Sequence, residues 1–404
     1  MDNNSILDQI ISNHKAEDVA NLDAIEIINS LFEELSERER DILIRRFGLY
    51  GKNRETLEEI GKVHQLTRER IRQIETFGVK KLRQLKKLDE HVKGLKNVIN
   101  QLLEEHGGIM ERKYLLDALV NFSISGVKPK AEDIDIHKSH LDFLISKLLH
   151  NDLEEVAKSD YFNKFFKLKF SAVDHLEELA KELLEKIKET KKILLTEDLI
   201  HLTRKLDSYN KHKSEFNITS NLDISNVLGG DYFDENTDIV NRNKIIYSIM
   251  QALKKLEQNK FGYWGMDDWR DIKPKTINDK IYLVLKHRGK PMHFVEIADE
   301  INKISFDNKK ANAATVHNEL ILDKKYVLIG RGLYGLKDWG YQQGTVADII
   351  EDILKKSDKT LNRDEIIEKV FEQRMVKKAT INLALMNKQK FEKAEDGKYS
   401  LKTA

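Results

Sequence analysis

Arg68, Glu69, Arg72 and Gln73 hold spacings that bring them together only on a helix. Arg68 with Arg72, and Glu69 with Gln73, are each four residues apart, which places them one turn above another on a shared surface. The residue types match the hydrogen-bonding code of base edges. Arginine donates two bonds to O6 and N7 of guanine, glutamate accepts from the amino group of cytosine, and glutamine pairs with adenine. Lys62, Arg70, Lys80, Lys81 and Arg83 lie around them and suit phosphate oxygens. From Lys62 to Lys87 nine basic residues accompany only Glu69 and Glu75, although the whole 404-residue chain carries +1. A charge run is usually a solvated helix face. Here the base-reading types within it favour a nucleic-acid surface.

The elements that must position this patch can be read from apolar spacing and capping. Leu31, Leu35, Ile42, Leu43 and Phe47 recur at helical intervals. Ser36 with Glu39 forms a capping-box pattern, and Gly48 is a helix stop. A second, short helix starts at Thr56 with Glu59 at the box position, and turns Leu57, Ile60 and Val63 inward. After a turn at His64-Gln65-Leu66, Thr67 caps a third helix that buries Ile71, Ile74, Val79 and Leu82. The patch then occupies the N-terminal end of this third helix, the end a recognition helix places in the major groove. The helix starts at Thr56 and Thr67 can each hold a phosphate through free backbone N–H groups.

Thr56-Leu57-Glu58-Glu59-Ile60-Gly61-Lys62 and Thr67-Arg68-Glu69-Arg70-Ile71-Arg72-Gln73-Ile74-Glu75 resemble region 4 of the bacterial primary sigma factors (the sigma-70 family). Leu35-Ser36-Glu37-Arg38-Glu39-Arg40 and Arg46-Phe47-Gly48-Leu49 resemble the preceding part of that region. The resemblance covers residues 31–87. It implies binding of double-stranded promoter DNA at the minus-35 element and docking on the beta flap of the RNA polymerase core. By position it makes Arg68, Glu69 and Gln73 base readers, Arg72 a mixed base and phosphate contact, and Arg38, Arg46, Thr56 and Thr67 phosphate contacts. Two stretches depart from the family: His64-Gln65 in the turn, and Thr76-Phe77-Gly78-Val79 late in the recognition helix. Both lie off the reading patch, so they bear on helix geometry more than on specificity. Residues 1–30 are too short for the sigma domain that melts the minus-10 element, so the expectation is a reader of promoters that does not open them.

The rest of the chain carries an internal repeat. Ala314-Thr315-Val316 and Ala379-Thr380-Ile381 are 65 residues apart, and at that offset Tyr326 matches Phe391, Gly332 matches Gly397 and Tyr334 matches Tyr399. Each copy reads as three helices (Thr276–His287, Val295–Ile301 and Asn312–Leu322; Val346–Lys356, Arg363–Gln373 and Lys378–Asn387) and two strands around a glycine turn (Tyr326–Tyr334; Phe391–Leu401). That is the outline of a winged helix. His293-Phe294-Val295-Glu296-Ile297-Ala298, Thr315-Val316-His317-Asn318-Glu319-Leu320 and Gly330-Arg331-Gly332-Leu333-Tyr334-Gly335-Leu336 resemble the HARE-type helix-turn-helix family. The resemblance implies interaction with nucleic acid or transcription machinery and carries over no contact residues. Weaker outlines upstream use Val98–His106, Lys113–Leu119, Leu141–Leu149 and a wing at Tyr161–Phe170, then Leu176–Ile187, Glu197–Leu206, Ile245–Leu256 and Phe261–Trp264.

The expected fold is therefore mainly α, a helix-turn-helix domain followed by tandem winged-helix modules. The divisions are a helical extension over residues 1–30, a sigma-like domain over 31–90, and modules over 96–170, 175–271 (with an insertion at 208–243), 274–341 and 344–402. Arg331, at a wing tip, is a second candidate DNA contact, weighed evenly against a plain solvated turn. His293 and His317 read as structural, because the chain has no cysteine and no paired histidine spacing. Trp264, Trp269 and Trp339 read as packing residues rather than base-stacking ones. No nucleotide-binding loop, nucleophile elbow or carboxylate constellation stands out, so no enzyme activity, cofactor, metal or small-molecule substrate is expected. The N-terminus lacks a secretion-signal pattern and no stretch reaches the ~18 apolar residues of a membrane span, so a soluble cytoplasmic protein is expected. The alternative to promoter reading is a delta-like protein that associates with polymerase and reads no sequence.

Overall fold

The computed structural model describes residues 23–123, 131–149, 153–157, 159–169, 171–216, 221–341, 344–357, 360–374, 376–394 and 397–402. The first 22 residues of the expected N-terminal extension lie outside them. The chain divides into two units, Met1–Asp267 and Asp268–Ala404. Both are mainly helical with small antiparallel sheets.

In the first unit, α1 (Ala24–Phe32) is capped by Asp23, whose carboxylate accepts from the N–H groups of Ile25 and Glu26. It crosses the expected boundary at residue 31. Helices α2 (Glu37–Phe47), α3 (Leu57–His64) and α4 (Arg68–Arg83) follow. The capping boxes at Ser36 and Thr56 form as their sequences predict, and Gly48 ends α2 in the left-handed conformation at φ 66°. The three helices close on Ile42, Ile60 and Ile71, with Leu57, Leu66 and Ile74 packed against them. Val63 does not join this core and is 53% exposed. The buried stripe of α3 runs instead through Leu57, Ile60, Gly61 and His64, the i, i+3, i+4, i+7 positions of a helix. His64 takes the inward place at the end of the stripe because Asp41 accepts its ring nitrogen at 2.9 Å.

Helix α5 (Leu88–Glu105) starts ten residues before Val98, so the expected break between residues 90 and 96 falls inside a continuous helix. Then come β1 (Ile109–Glu111), α6 (Arg112–Ser123), α7 (Ala131–Phe143, extended by a π turn at Leu144–Leu148), β2 (Leu153–Val156) and β3 (Phe165–Leu168). The sheet order is β1-β3-β2, antiparallel throughout. Next, α8 (Asp174–Thr190) and α9 (Thr196–Thr203) precede α10 (Lys244–Ala252) and the pair β4 (Leu256–Gln258) with β5 (Trp264–Met266). Leu194 bridges Trp264 as a one-residue strand. Residues read from sequence as the end of a helix at Leu256 are thus the start of a strand. Among its described residues, the expected insertion at 208–243 includes the short helices Asp207–Lys211 and Thr237–Asn241 and a 3-10 turn at Ser225–Val227.

In the second unit, α11 (Ile277–Arg288), β6 (Met292–His293), α12 (Phe294–Ile304) and α13 (Ala313–Leu322) lead to the hairpin β7 (Tyr326–Leu328) and β8 (Leu333–Leu336). The sheet order is β6-β8-β7. Helices α14 (Val346–Lys356), α15 (Arg363–Gln373) and α16 (Lys378–Leu385) repeat that order ahead of β9 (Phe391–Lys393) and β10 (Tyr399–Leu401). The repeat found at an offset of 65 is mirrored in pairing, since Met292 pairs with Tyr334 and Leu361 bridges Tyr399. His293 caps α12 by accepting from the Val295 N–H, and the His317 ring stacks on Phe294. Trp264 is buried and its indole N–H donates to Thr196. Among the described residues no helix is long and apolar enough to cross a membrane.

Candidate nucleic-acid interface

Helix α4 buries Ile71, Gly78, Val79 and Leu82 along one stripe. Arg68, Glu69, Arg72 and Gln73 fall opposite that stripe and are all exposed. Thr67 fixes the start of the helix by accepting from the Arg70 N–H at 3.3 Å. Its hydroxyl proton stays available to an outside acceptor, whereas the Thr56 hydroxyl donates to Glu59 at 2.8 Å.

Within the patch, Arg72 donates twice to the Glu69 carboxylate, at 2.9 and 2.7 Å. The hydrogen bonds from Arg72 hold the Glu69 carboxyl below its ordinary range, and the same pairing raises Arg72. The pair is solvated and screened, so it can rearrange around a base pair at little cost. Arg70 donates to the Gln73 amide oxygen at 3.1 Å, and the Gln73 side chain also hydrogen-bonds the Glu69 carboxylate and helps to lower it. Arg68 makes no hydrogen bond or close ion pair with a described residue, though its charge also helps to lower Glu69.

The cationic candidates divide into three groups. Arg38 and Lys80 are exposed and unpaired among the described residues. Lys62 stands 4.0 Å from Glu58 in a loose exposed pair, and Lys81 stands 3.8 Å from the half-buried Glu39. Arg46 and Arg83 are structurally engaged. Arg46 reaches Glu75 at 3.3 Å and the Glu55 carbonyl at 3.1 Å, tying α2 to α4. Arg83 donates to the Lys147 carbonyl at 2.6 Å, and burial there lowers its pKa. Arg331 is exposed and stands apart in the second unit, at the tip between β7 and β8.

The sequence reading took Phe77 only as a disturbance of helix geometry. The structure leaves it 59% exposed, one turn after Gln73. It lines a hollow of about 510 Å³ with Arg38, Arg70 and Gln73. The signal available in sequence was its place four residues beyond Gln73, a candidate base reader, on the polar face.

Two glycines inside the helices of this domain, Gly61 in α3 and Gly78 in α4, have opposite roles. A Cβ at Gly61 would lie 2.7 Å from the Leu66 carbonyl oxygen, so only glycine lets α3 meet the turn this closely. A Cβ at Gly78 would lie 3.4 Å from Leu43, an ordinary contact. Gly78→Ala is therefore expected to raise the stability of this domain by up to about 1 kcal/mol, the helix propensity difference. Gly61→Ala is expected to lower it by about 1–3 kcal/mol through overpacking. Urea denaturation of the two variants checks both signs.

The fold around the patch is that of a helix-turn-helix. Residues 31–84 match the family Sigma-70, region 4, so this part of the chain is a sigma-70 region 4 domain. It is 50% identical over 58 residues to the RNA polymerase sigma factors SigA of a Nostoc species, of Microcystis aeruginosa and of a Synechocystis species. That stretch is 14% of this chain and 14–15% of each relative's length. No solved structure matches the chain significantly.

Proposed function

We propose that this protein reads duplex promoter DNA at a minus-35-type element and acts in transcription initiation together with RNA polymerase, docking on the beta flap. The carrying observation is the solvent-facing set Arg68, Glu69, Arg72 and Gln73 at the capped N-terminus of α4, within a sigma-70 region 4 domain. In this reading α4 enters the major groove, and Arg68, Glu69 and Gln73 contact base edges. Phe77, one turn further, meets a thymine methyl group. Arg38, Lys62, Thr67, Arg70, Lys80 and Lys81 contact phosphates, with Arg46 and Thr56 fixing the geometry of the helices.

The recurring order of helix, short strand, two helices and hairpin supports reading the remainder as tandem winged-helix modules, with the module after Asp268 of HARE type. Their third helices favour protein over DNA as a partner. The exposed face of α13 carries Ala314, Thr315, Asn318, Ile321 and Leu322, and that of α16 carries Lys378, Ala379, Thr380 and Leu383, with Met386 just past its end. The large apolar side chains exposed toward the ends of both helices, Ile321, Leu322, Leu383 and Met386, support the polymerase-associated, delta-like alternative for this part of the chain. Arg331 remains its one DNA candidate.

Arg68→Ala or Glu69→Ala is expected to relax discrimination at one base pair by about 1–3 kcal/mol. Lys80→Ala is expected to weaken binding evenly across sequences and to lower the salt dependence by about one ion. Competition binding with a minus-35 duplex and a panel of single base-pair variants measures both. Indifference of the unaltered protein to the duplex sequence would refute base reading and leave the delta-like alternative.

A further inference from the structure

A cleft of about 640 Å³ opens in the first unit where the start of α10 meets the ends of α5 and α9. Arg204, Lys213 and Arg242 stand around it, all exposed and none in an ion pair with a described residue. Among the described residues the single acid in its lining is Glu105, and that charge is already answered. Glu105 accepts from Lys244 at 2.6 Å, from Gln101 at 3.0 Å and from the Asn221 and Leu222 N–H groups at 3.0–3.2 Å. The cleft is therefore a concave cationic site without its own counter-charge. A neighbouring hollow shows the usual alternative: Glu178, Glu182, Glu185 and Asp207 face Lys181 and Lys211 there, and Lys211 pairs with Glu178 at 2.8 Å.

Two further features shape what the cleft can hold. Asn243, at the N-cap of α10, turns its side-chain amide back to the Ile239 carbonyl at 2.7 Å and does not cap the helix. The positive end of α10 thus adds to the field of the three cations. On another side, the Tyr209 ring lies parallel to Phe216, 5.0 Å between centroids, and forms a flat wall. A single phosphate would leave most of this volume empty, and the volume lies in the range of pockets that enclose small molecules. A duplex presents its phosphates on a convex surface and cannot bring one strand into such a recess.

We infer that this cleft binds a nucleoside polyphosphate, with the phosphates on Arg204, Arg242 and Lys213 and the base against Tyr209. The reading is independent of promoter recognition by α4, which lies elsewhere in the unit. Because Glu105 belongs to α5 and Lys244 to α10, a ligand here would also brace the junction between the two modules of this unit, so binding should raise its melting temperature.

The test is calorimetric titration of ATP and of GTP into the full-length protein, its Arg204→Gln/Arg242→Gln variant and a Lys181→Gln control in the neighbouring hollow. Both altered arginines are exposed, so the variant should fold; circular dichroism verifies this. The expected result is binding below about 1 mM by at least one nucleotide, weakened about tenfold or more in the double variant and unchanged in the control. No binding of either nucleotide at about 1 mM, or equal binding by the double variant, overturns the inference. So does a double variant that loses affinity for duplex DNA while nucleotide binding stays intact.

Discussion

Replacing Phe143 with alanine is expected to destabilise the first unit by about 3–5 kcal/mol, the range for removing a buried aromatic side chain. Phe143 is 1% exposed at the end of α7. Its ring meets Phe32 edge-on at 6.0 Å and Phe47 at 4.9 Å. One turn earlier His140 meets the Tyr50 ring at 4.6 Å, and Asp142 accepts from Arg54 at 2.7 Å and also from Arg112. Beyond it, the Lys147 ammonium sits 5.5 Å from the centre of the Phe47 ring, and the Lys147 carbonyl receives Arg83. This is how the sigma-70 region 4 domain is held to the module behind it. The reading patch is untouched by these contacts, and the helix-turn-helix has its own centre at Ile42, Ile60 and Ile71. Phe143→Ala should therefore lower the urea midpoint while leaving the preference among DNA sequences intact. Phe143→Leu, which keeps most of the volume, should lose under about 1.5 kcal/mol. A loss below about 1 kcal/mol for the alanine variant would make this docking a marginal contact.

What was legible in the sequence follows from how far each signal reaches along the chain. Ser36 with Glu39, Thr56 with Glu59, and Gly48 are local chemistry. Each side chain answers a backbone group three or four residues away, so the pattern specifies the geometry. The exposed face of α4 was equally local, because one helical period separates its buried and exposed residues. Val63 was misplaced because hydrophobicity alone ranks valine above glycine and histidine. The helix buries a face, and on that face Gly61 permits a close approach while His64 has an acid to bond. The docking of α7 could not be read at all: periodicity shows that a face is apolar but does not name its partner. Nor could the upstream modules be matched to the later repeat by residue identity, since one-residue bridges such as Leu194 with Trp264 leave almost no sequence trace. Arg46 and Arg83 show the same limit from the other side. Composition marks them as cations, and only the fold shows that they are engaged within the protein.

The longest-range of these hidden contacts leads to the second large effect. Lys244→Met is expected to cost the first unit about 3–5 kcal/mol at neutral pH, because it leaves a buried carboxylate unpaired. The two charged side chains are 1% and 5% exposed and stand 2.6 Å apart, though 139 residues separate them. Lys244 also donates to the Leu222 carbonyl, so the pair anchors the inserted segment to α5. Burial alone would push the Glu105 carboxyl up. The hydrogen bonds from Lys244 and Gln101, with the charge of Lys244, outweigh it and hold the group below its ordinary value. A depressed carboxylate contributes stability that is present above its unfolded-state pKa and lost as pH falls through the folded-state value. In the Lys244→Met variant the sign reverses, because burial then dominates and raises Glu105 above its unfolded value. Acid should therefore relieve part of the defect, and the gap between variant and parent should narrow as pH is lowered from 7 toward 5. Adding Glu105→Gln should recover much of the loss at pH 7, since the amide removes the buried charge and its oxygen can still accept from the Asn221 and Leu222 N–H groups. Urea denaturation of the three proteins at both pH values reads all of this. A double variant no more stable than Lys244→Met at pH 7 would move the cause from the stranded charge to the packing of the methionine.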